Sequence, residues 1–212
     1  MTRPTKLNPE RGDARTRLLE AARDVIRRKG FNATTVDDLC KAAGVTKGAY
    51  FHHFETKEAL GVAAAQFWAE TTGAYFADAP YHAPEDPLER VRAYIAFRRA
   101  LISGDLAEFT CLVGTMTQEA YASHPAIRDA CAHSMLDHAA TLEPDIALAI
   151  AARGMEPEWT ATDLARHIQA AIQGAFILAK ATGDPAQARS SLDHLARYID
   201  LLFDPAEPSK DQ

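Results

Sequence analysis

Cysteine is scarce in this chain. Its 212 residues hold three, Cys40, Cys111 and Cys131, an odd number at unrelated spacings. That pattern excludes a disulfide framework and a CxxC metal site. No apolar run approaches the roughly 20 residues that a membrane-spanning helix needs. The opening stretch MTRPTKLNPERGDARTR is polar and lacks the apolar core of a secretory signal, so a cytoplasmic location is expected. GxSxG, the P-loop, HExxH and a strand-borne GxGxxG are all missing, which removes the usual grounds for an enzyme and implies no cofactor and no metal. Period-two alternation over β-branched residues is missing too, as are repeats and low-complexity segments, while alanine is abundant. The expected fold class is therefore all-α.

What remains is an ordinary globular composition, 47% apolar, in a length that suits one or two domains with a sizeable core. The net charge of −6 hides an asymmetry. Residues 1–57 carry 12 Lys+Arg against 7 Asp+Glu, a net of +5, whereas residues 58–212 carry 11 against 22, a net of −11. A basic head on an acidic body fits a nucleic-acid contact confined to one end. Charge alone leaves open the alternative of cations clustered on a solvated helix face.

Helix punctuation is dense. A first helix is predicted from the N-cap Asp13 to Gly30, with Leu18, Leu19, Ala22, Val25 and Ile26 as its apolar stripe. TVDD, residues 35–38, resembles a capping box with Asp in place of Glu. Gly44 supplies a left-handed stop, Thr46 caps a short helix through Phe54, and Thr56 caps a longer one. Three helices joined by turns of three or four residues are a helix-turn-helix layout. Beyond it, Tyr81 to Asp86 reads as a loop, Asp86-Pro87 starts a helix that Gly104 ends, and residues 105–123 read as one further helix. Pro125 opens a helix reaching about Gly154 that Pro144 should interrupt. Thr160 or Thr162 begins the next, and Asp184-Pro185 the last, ending near Phe203.

TVDDLCKAAGVTKGAYFHHF meets the physical demands of a DNA-reading helix pair. Cys40 is small where two helices cross, Gly44 makes the turn, and Val45 and Tyr50 fill the space against the first helix. The exposed face of the second helix is then Lys47, Gly48, Ala49, Phe51 and His52, with His53 at its end. Such a helix enters the major groove with its N-terminal residues nearest the base edges. A shared cation at His52 and His53 fails on geometry, because adjacent helical side chains point about 100° apart. Phosphate contact by at least one ring, or one ring packed and one solvated, are the readings left.

TTVDDLCKAAGVTKGAYFHHFETKEAL resembles the DNA-binding head of TetR-family transcriptional regulators, specifically over about residues 13–62. QGAFILAKATGDP, residues 173–185, is similar to the penultimate helix of many members. The resemblance implies an N-terminal three-helix head, residues 1–57, joined to a larger helical ligand-binding and dimerisation domain, residues 58–212. It implies a homodimer formed by the last two helices, a pseudo-palindromic double-stranded operator, an unknown small-molecule effector, and most often repression released by that effector. By position it implies a phosphate contact for Thr35, base and phosphate contacts for Thr46, Lys47, Gly48 and Ala49, and backbone contacts for His52 and His53. Lys57 matches a lysine that pairs with phosphate. Phe51 stands where a tyrosine is common, so a hydroxyl contact is lost while its ring can meet a thymine methyl. The arm residues Arg3, Lys6 and Arg11 suit an adjacent minor groove or a solvated end.

The acidic body has two jobs to fill, pairing and signal binding. Leu164, Ile168, Ala171, Ile172, Ala175, Ile177 and Leu178 form one stripe, and Leu192, Leu195, Ile199, Leu202 and Phe203 another, suited to a four-helix interface. Candidate pocket residues are Trp68, Phe76, Tyr94, Phe97, Cys111, Met116, Tyr121, Met135, His138, Gln169, Gln173 and Phe176. Apolar walls with a few polar groups suit small organic ligands, and core packing is the competing reading for each. Cys111 is either a sensor thiol or a small core residue. Cys131 with His133 or His138 fits no zinc spacing. An architectural DNA-binding protein without a ligand is the other class of function, and so large a body argues against it.

Overall fold

The structure, a computed structural model, describes residues 13–203. Among them are eleven α-helices: α1 (Ala14–Lys29), α2 (Val36–Ala43), α3 (Lys47–His53), α4 (Lys57–Ala77), α5 (Pro87–Ala100), α6 (Leu106–Phe109), α7 (Leu112–Ala120), α8 (Pro125–Ala140), α9 (Glu143–Ala152), α10 (Ala161–Thr182) and α11 (Pro185–Phe203). A short 3-10 turn, Pro80–His82, lies inside the segment read as a loop. No strand is present among the described residues. The arm residues Arg3, Lys6 and Arg11 lie outside the described residues.

Local chemistry sets most boundaries. Asp13 accepts the Thr16 N–H at 2.7 Å and starts α1. Thr35 and Asp38 form the reciprocal capping box of α2, and Gly44 ends it with φ 62°. That conformation costs a residue bearing a Cβ and costs glycine nothing. Thr46 caps α3 through the Ala49 N–H. The Thr56 hydroxyl accepts the Ala59 N–H at 3.0 Å at the start of α4. Thr160, with Asp163, settles the start of α10.

Two expected boundaries are corrected. Residues 105–123 are not one helix. The run breaks at Thr110, whose backbone is extended, and Cys111 opens α7 with its sulfur accepting the Gly114 N–H at 3.4 Å. The break buries Thr110, Cys111, Leu112 and Val113 together, a tertiary gain that overrides continuous helix propensity. Helix α5 ends at Ala100, so Gly104 sits in the following turn rather than at the helix end. Pro144 does interrupt its run, and it occupies the first turn of α9, where a missing N–H is tolerated.

The chain divides into two compact units: residues up to Thr71 with Cys111–Ser134, and Thr72–Thr110 with the residues from Met135 onward. In the first, α1 packs on α2, α3 and α7. Leu18, Ala22, Ile26, Phe31, Leu39, Tyr50 and Leu60 are wholly buried there. In the second, α5 packs on α9 and α11, and α10 packs on α9 and α11. Leu88, Val91, Tyr94, Ile146, Ile168, Ile172 and Ile199 are its wholly buried core. No helix among the described residues is long and apolar enough to cross a membrane.

Candidate functional site

Helix α3 presents the residues the sequence singles out. Tyr50 is fully buried and anchors the helix against its neighbours, with its hydroxyl 3.4 Å from the Thr56 carbonyl oxygen. Cys40 is buried at the crossing, and Val45 is half-buried. On the other face Lys47, Gly48 and His52 are exposed, Ala49 and His53 are half-buried, and Phe51 is 54% exposed. The exposed Phe51 ring is free to meet a thymine methyl at a base edge. A Cβ added at Gly48 would meet nothing nearer than the Thr46 hydroxyl at 3.8 Å, so its smallness is not needed for packing within the chain. The rings of His52 and His53 stand edge-on, with centroids 4.9 Å apart.

The cations and hydroxyls of this face are already engaged. Lys47 pairs with Asp37 at 2.8 Å, with both side chains more than 60% exposed. Exposed pairs of this kind are weak and exchange readily, so a phosphate can displace Asp37. The Thr35 hydroxyl donates to Asp38 at 2.6 Å, and its backbone N–H donates to the same carboxylate at 2.8 Å. Lys29 donates to Asp38 as well, at 2.6 Å. The Lys29 ammonium and Thr35 donors hold the Asp38 carboxyl far below the usual carboxylate range. A phosphate contact from Thr35 must therefore compete with Asp38.

Lys57, matched by resemblance to a phosphate-pairing lysine, makes its contacts within the chain. Its ammonium donates to the carbonyl oxygens of Phe31, Asn32 and Thr34, at 3.0, 3.3 and 3.1 Å. It also lies 4.5 Å from the Phe31 ring centroid. Burial pulls its pKa down, with the Glu119 carboxylate opposing. In this arrangement Lys57 closes the α1–α2 turn from one side, and Glu119 closes it from another. The Glu119 carboxylate accepts the Asn32 N–H at 2.8 Å, and its carbonyl accepts the Asn32 amide at 3.3 Å. Arg17 donates to the carbonyls of Ala43 and Gly44 and ties the helix-turn-helix corner back to α1. Sequence reasoning missed Arg17, Lys29, Asp37 and Glu119. Asp37 and Lys47 carry a weak signal in their opposite charges, but nothing local marks Glu119, 87 residues from Asn32.

The twelve candidate pocket residues divide between the units. Trp68, Cys111, Met116 and Tyr121 fall in the first; Phe76, Tyr94, Phe97, Met135, His138, Gln169, Gln173 and Phe176 fall in the second. Trp68 carries the Arg27 guanidinium 5.3 Å from its ring. Met116 is fully buried and Cys111 nearly so, whereas Tyr121 is 61% exposed, which departs from the lining position expected of it. Burial pushes the nearby Cys131 thiol up to about 12. In the second unit Phe76 is the hub. Its ring lies 4.7 Å from His138, 5.6 Å from Phe97 and 6.0 Å from Tyr94. Burial, with the Arg98 charge adding to it, lowers the pKa of His138 to about 4, so the ring is neutral. An open depression of about 360 Å³ is lined by Ala74, Tyr75, Asp78, Ala79, Pro80 and Phe97. Among the described residues no three His, Cys, Asp or Glu side chains gather closely enough to hold a metal ion.

Most of the expected interface stripes pack within the chain: Leu164, Ile168, Ile172, Ala175, Leu192, Leu195, Ile199 and Phe203 are buried and Ala171 and Leu202 half-buried, whereas Ile177 and Leu178 of the stripes, with Tyr198 and Leu201, are exposed by 40 to 65%.

Comparison with known proteins agrees with this layout. Residues 18–64 match the family described as bacterial regulatory proteins, tetR family, and residues 87–195 match the tetracyclin repressor-like C-terminal domain. The HTH-type transcriptional regulator UidR of Escherichia coli K12 is 37% identical over 54 residues, which is 26% of this chain and 28% of UidR. The HTH-type transcriptional repressor KstR2 of Rhodococcus jostii is 44% identical over 46 residues, 22% of each chain. The alignment thus spans little more than a quarter of the length of the first of these relatives. A crystal structure of a TetR-family regulator from Agrobacterium tumefaciens superposes with a TM-score of 0.77 at 23% identity, over 91% of this chain and 99% of the other, so the fold is shared along nearly the whole length. With an N-terminal and a C-terminal match that together take in most of the residues, this chain belongs to the TetR family of bacterial regulatory proteins.

Proposed function

We propose that the chain is a sequence-specific, ligand-responsive DNA-binding repressor that acts as a homodimer. The observation that carries this reading is the α2–Gly44–α3 corner: a capped, rigidly anchored helix whose outward face is Lys47, Gly48, Ala49, Phe51 and His52. Thr46 and Lys47 lead into the major groove, Phe51 meets a thymine methyl, and His52 and His53 approach the backbone. Thr35 reaches phosphate by exchanging its bond to Asp38. Lys57 supports the same surface by fixing the turn before α2.

Residues 1–57 serve as the DNA-binding head and residues 58–212 as the ligand and dimer domain. One short recognition helix reads too few base pairs alone, so two heads read a pseudo-palindrome. The exposed Ile177, Leu178, Tyr198 and Leu201 of α10 and α11 are the surface offered to a second copy. A small molecule bound in the body shifts the population toward a form that fits successive major grooves poorly, and the operator is released. Helix α4, unbroken from Lys57 to Ala77, is the covalent path along which that shift travels.

Selection of bound duplexes from a random pool tests the reading. It should return a two-fold related site, and the affinity for that site should fall steeply with salt as phosphate contacts release counterions. Lys47→Ala should reduce the salt slope by about one. A flat salt response, or a pool that yields no common sequence, would refute it.

A further inference from the structure

Helix α5 carries four arginines, and three are ion-paired. Arg90 meets Asp145, Arg92 meets Glu89 and Asp200, and Arg99 meets Asp193. Arg98 has no carboxylate partner among the described residues. Its guanidinium lies instead among aromatic rings of the second unit, 5.1 Å from the Phe76 ring centroid, 5.8 Å from Phe176 and 5.9 Å from Tyr94. Its Nη1 lies 3.4 Å from His138 Nε2, which is also 2.9 Å from the Tyr94 hydroxyl. An arginine only donates, so His138 Nε2 is an acceptor there. One of the five guanidinium N–H groups is thereby used, and the other four find no acceptor in the described protein.

Helix α10 adds the second observation. Gln169, Gln173 and Phe176 are spaced i, i+4, i+7 and so share the helix face that touches Arg98. Gln169 Oε1 and Gln173 Nε2 are buried and have no hydrogen-bond partner in the protein. Buried amide atoms are almost always satisfied. A donor-rich cation among aromatic rings, beside unsatisfied amides, is what a ligand site needs: apolar walls with a few convergent polar groups.

We propose that this cluster binds a small aromatic carboxylate, with the carboxylate held by the Arg98 guanidinium, the ring against Phe176 and Phe76, and a polar substituent on the Gln169 and Gln173 amides. The planar fork of arginine matches a carboxylate in two parallel hydrogen bonds. His138, the titratable group in contact with Arg98, is neutral and adds no charge of its own. The inference rests on the reading of residues 58–212 as the effector-binding domain and names the chemistry of its effector.

Titration calorimetry and melting on the full chain at pH 7 and fixed ionic strength test it. The probes are benzoate, phenylacetate, 4-hydroxyphenylacetate and cinnamate, each beside its neutral amide. At least one carboxylate should bind about tenfold or more tightly than its amide. Arg98→Met should abolish that preference, and Arg98→Lys should keep part of it. The acid–amide comparison on the unmodified chain needs no variant to fold. Equal binding of acid and amide, no binding by any probe at millimolar concentration, or an undiminished preference in Arg98→Met would overturn the proposal. Operator release is measured separately. Release by neutral molecules alone would keep the regulator and reject this site; carboxylate binding without release would keep the site and reject ligand-driven derepression.

Discussion

By position Lys57 matches a phosphate-binding lysine, and in the folded chain its ammonium is shared among three carbonyl oxygens of the α1–α2 turn. Removing a charged donor from partly buried carbonyls costs on the order of 1–3 kcal/mol. Lys57→Met should therefore lower the melting temperature by roughly 2–10 °C for a chain of this length, and any loss of operator affinity should track that loss of stability. Unchanged stability with a large fall in affinity would return Lys57 to the phosphate backbone. His138 makes a second residue-scale prediction. Burial first, and Arg98 next, depress its pKa from 6.5 to about 4. The folded state thus resists a proton that the unfolded chain accepts. Stability from this group is complete above pH 6.5 and is lost progressively as pH falls toward 4, by on the order of 2–3 kcal/mol. His138→Gln should flatten stability across that window, and an identical profile in the variant would contradict the assignment.

Helices come next in scale, and here the caps explain where most of them start. Aspartate, threonine or proline stands at the openings of α1, α2, α3, α5, α10 and α11, and each was legible in the sequence because capping is a local hydrogen bond. The break at Thr110 was not legible, since the extended backbone there comes with the burial of Thr110 to Val113, which no local pattern marks. The α1–α2 junction combines both kinds of cause. Gly30 has φ 87°, a backbone state that side chains rarely adopt, and a Cβ there would collide with the Glu119 carboxylate. Gly30→Ala should destabilise the chain by roughly 1–3 kcal/mol. The double variant Gly30→Ala, Glu119→Ala should recover part of that loss, measured as a coupling in a double-mutant cycle. Strict additivity would mean that backbone strain alone is responsible.

The whole molecule is decided by surfaces the sequence could only partly sort. The apolar stripes of α10 and α11, expected to face a second subunit, pack mostly within the chain, while Ile177 and Leu178 of the stripes and Tyr198 and Leu201 outside them are exposed. If these four carry the dimer, Leu178→Glu with Leu201→Glu should give a monomer by sedimentation and weaken operator binding far more than it alters the helical content. Retention of the dimer would move the interface elsewhere.

The sequence by itself determined the helical class, the cap-to-cap spacing of the head, the exposed face of α3 and the charge asymmetry between head and body. All of these follow from interactions within a few residues or from composition. Tertiary structure decided the rest. It placed Lys57 and Glu119 on one turn, divided the candidate pocket residues between two units, buried most of the α10 and α11 stripes, and left Arg98 among aromatic rings with no carboxylate partner among the described residues. Each of those outcomes depends on which distant side chains compete for the same space or the same hydrogen bond, and no local pattern encodes that competition.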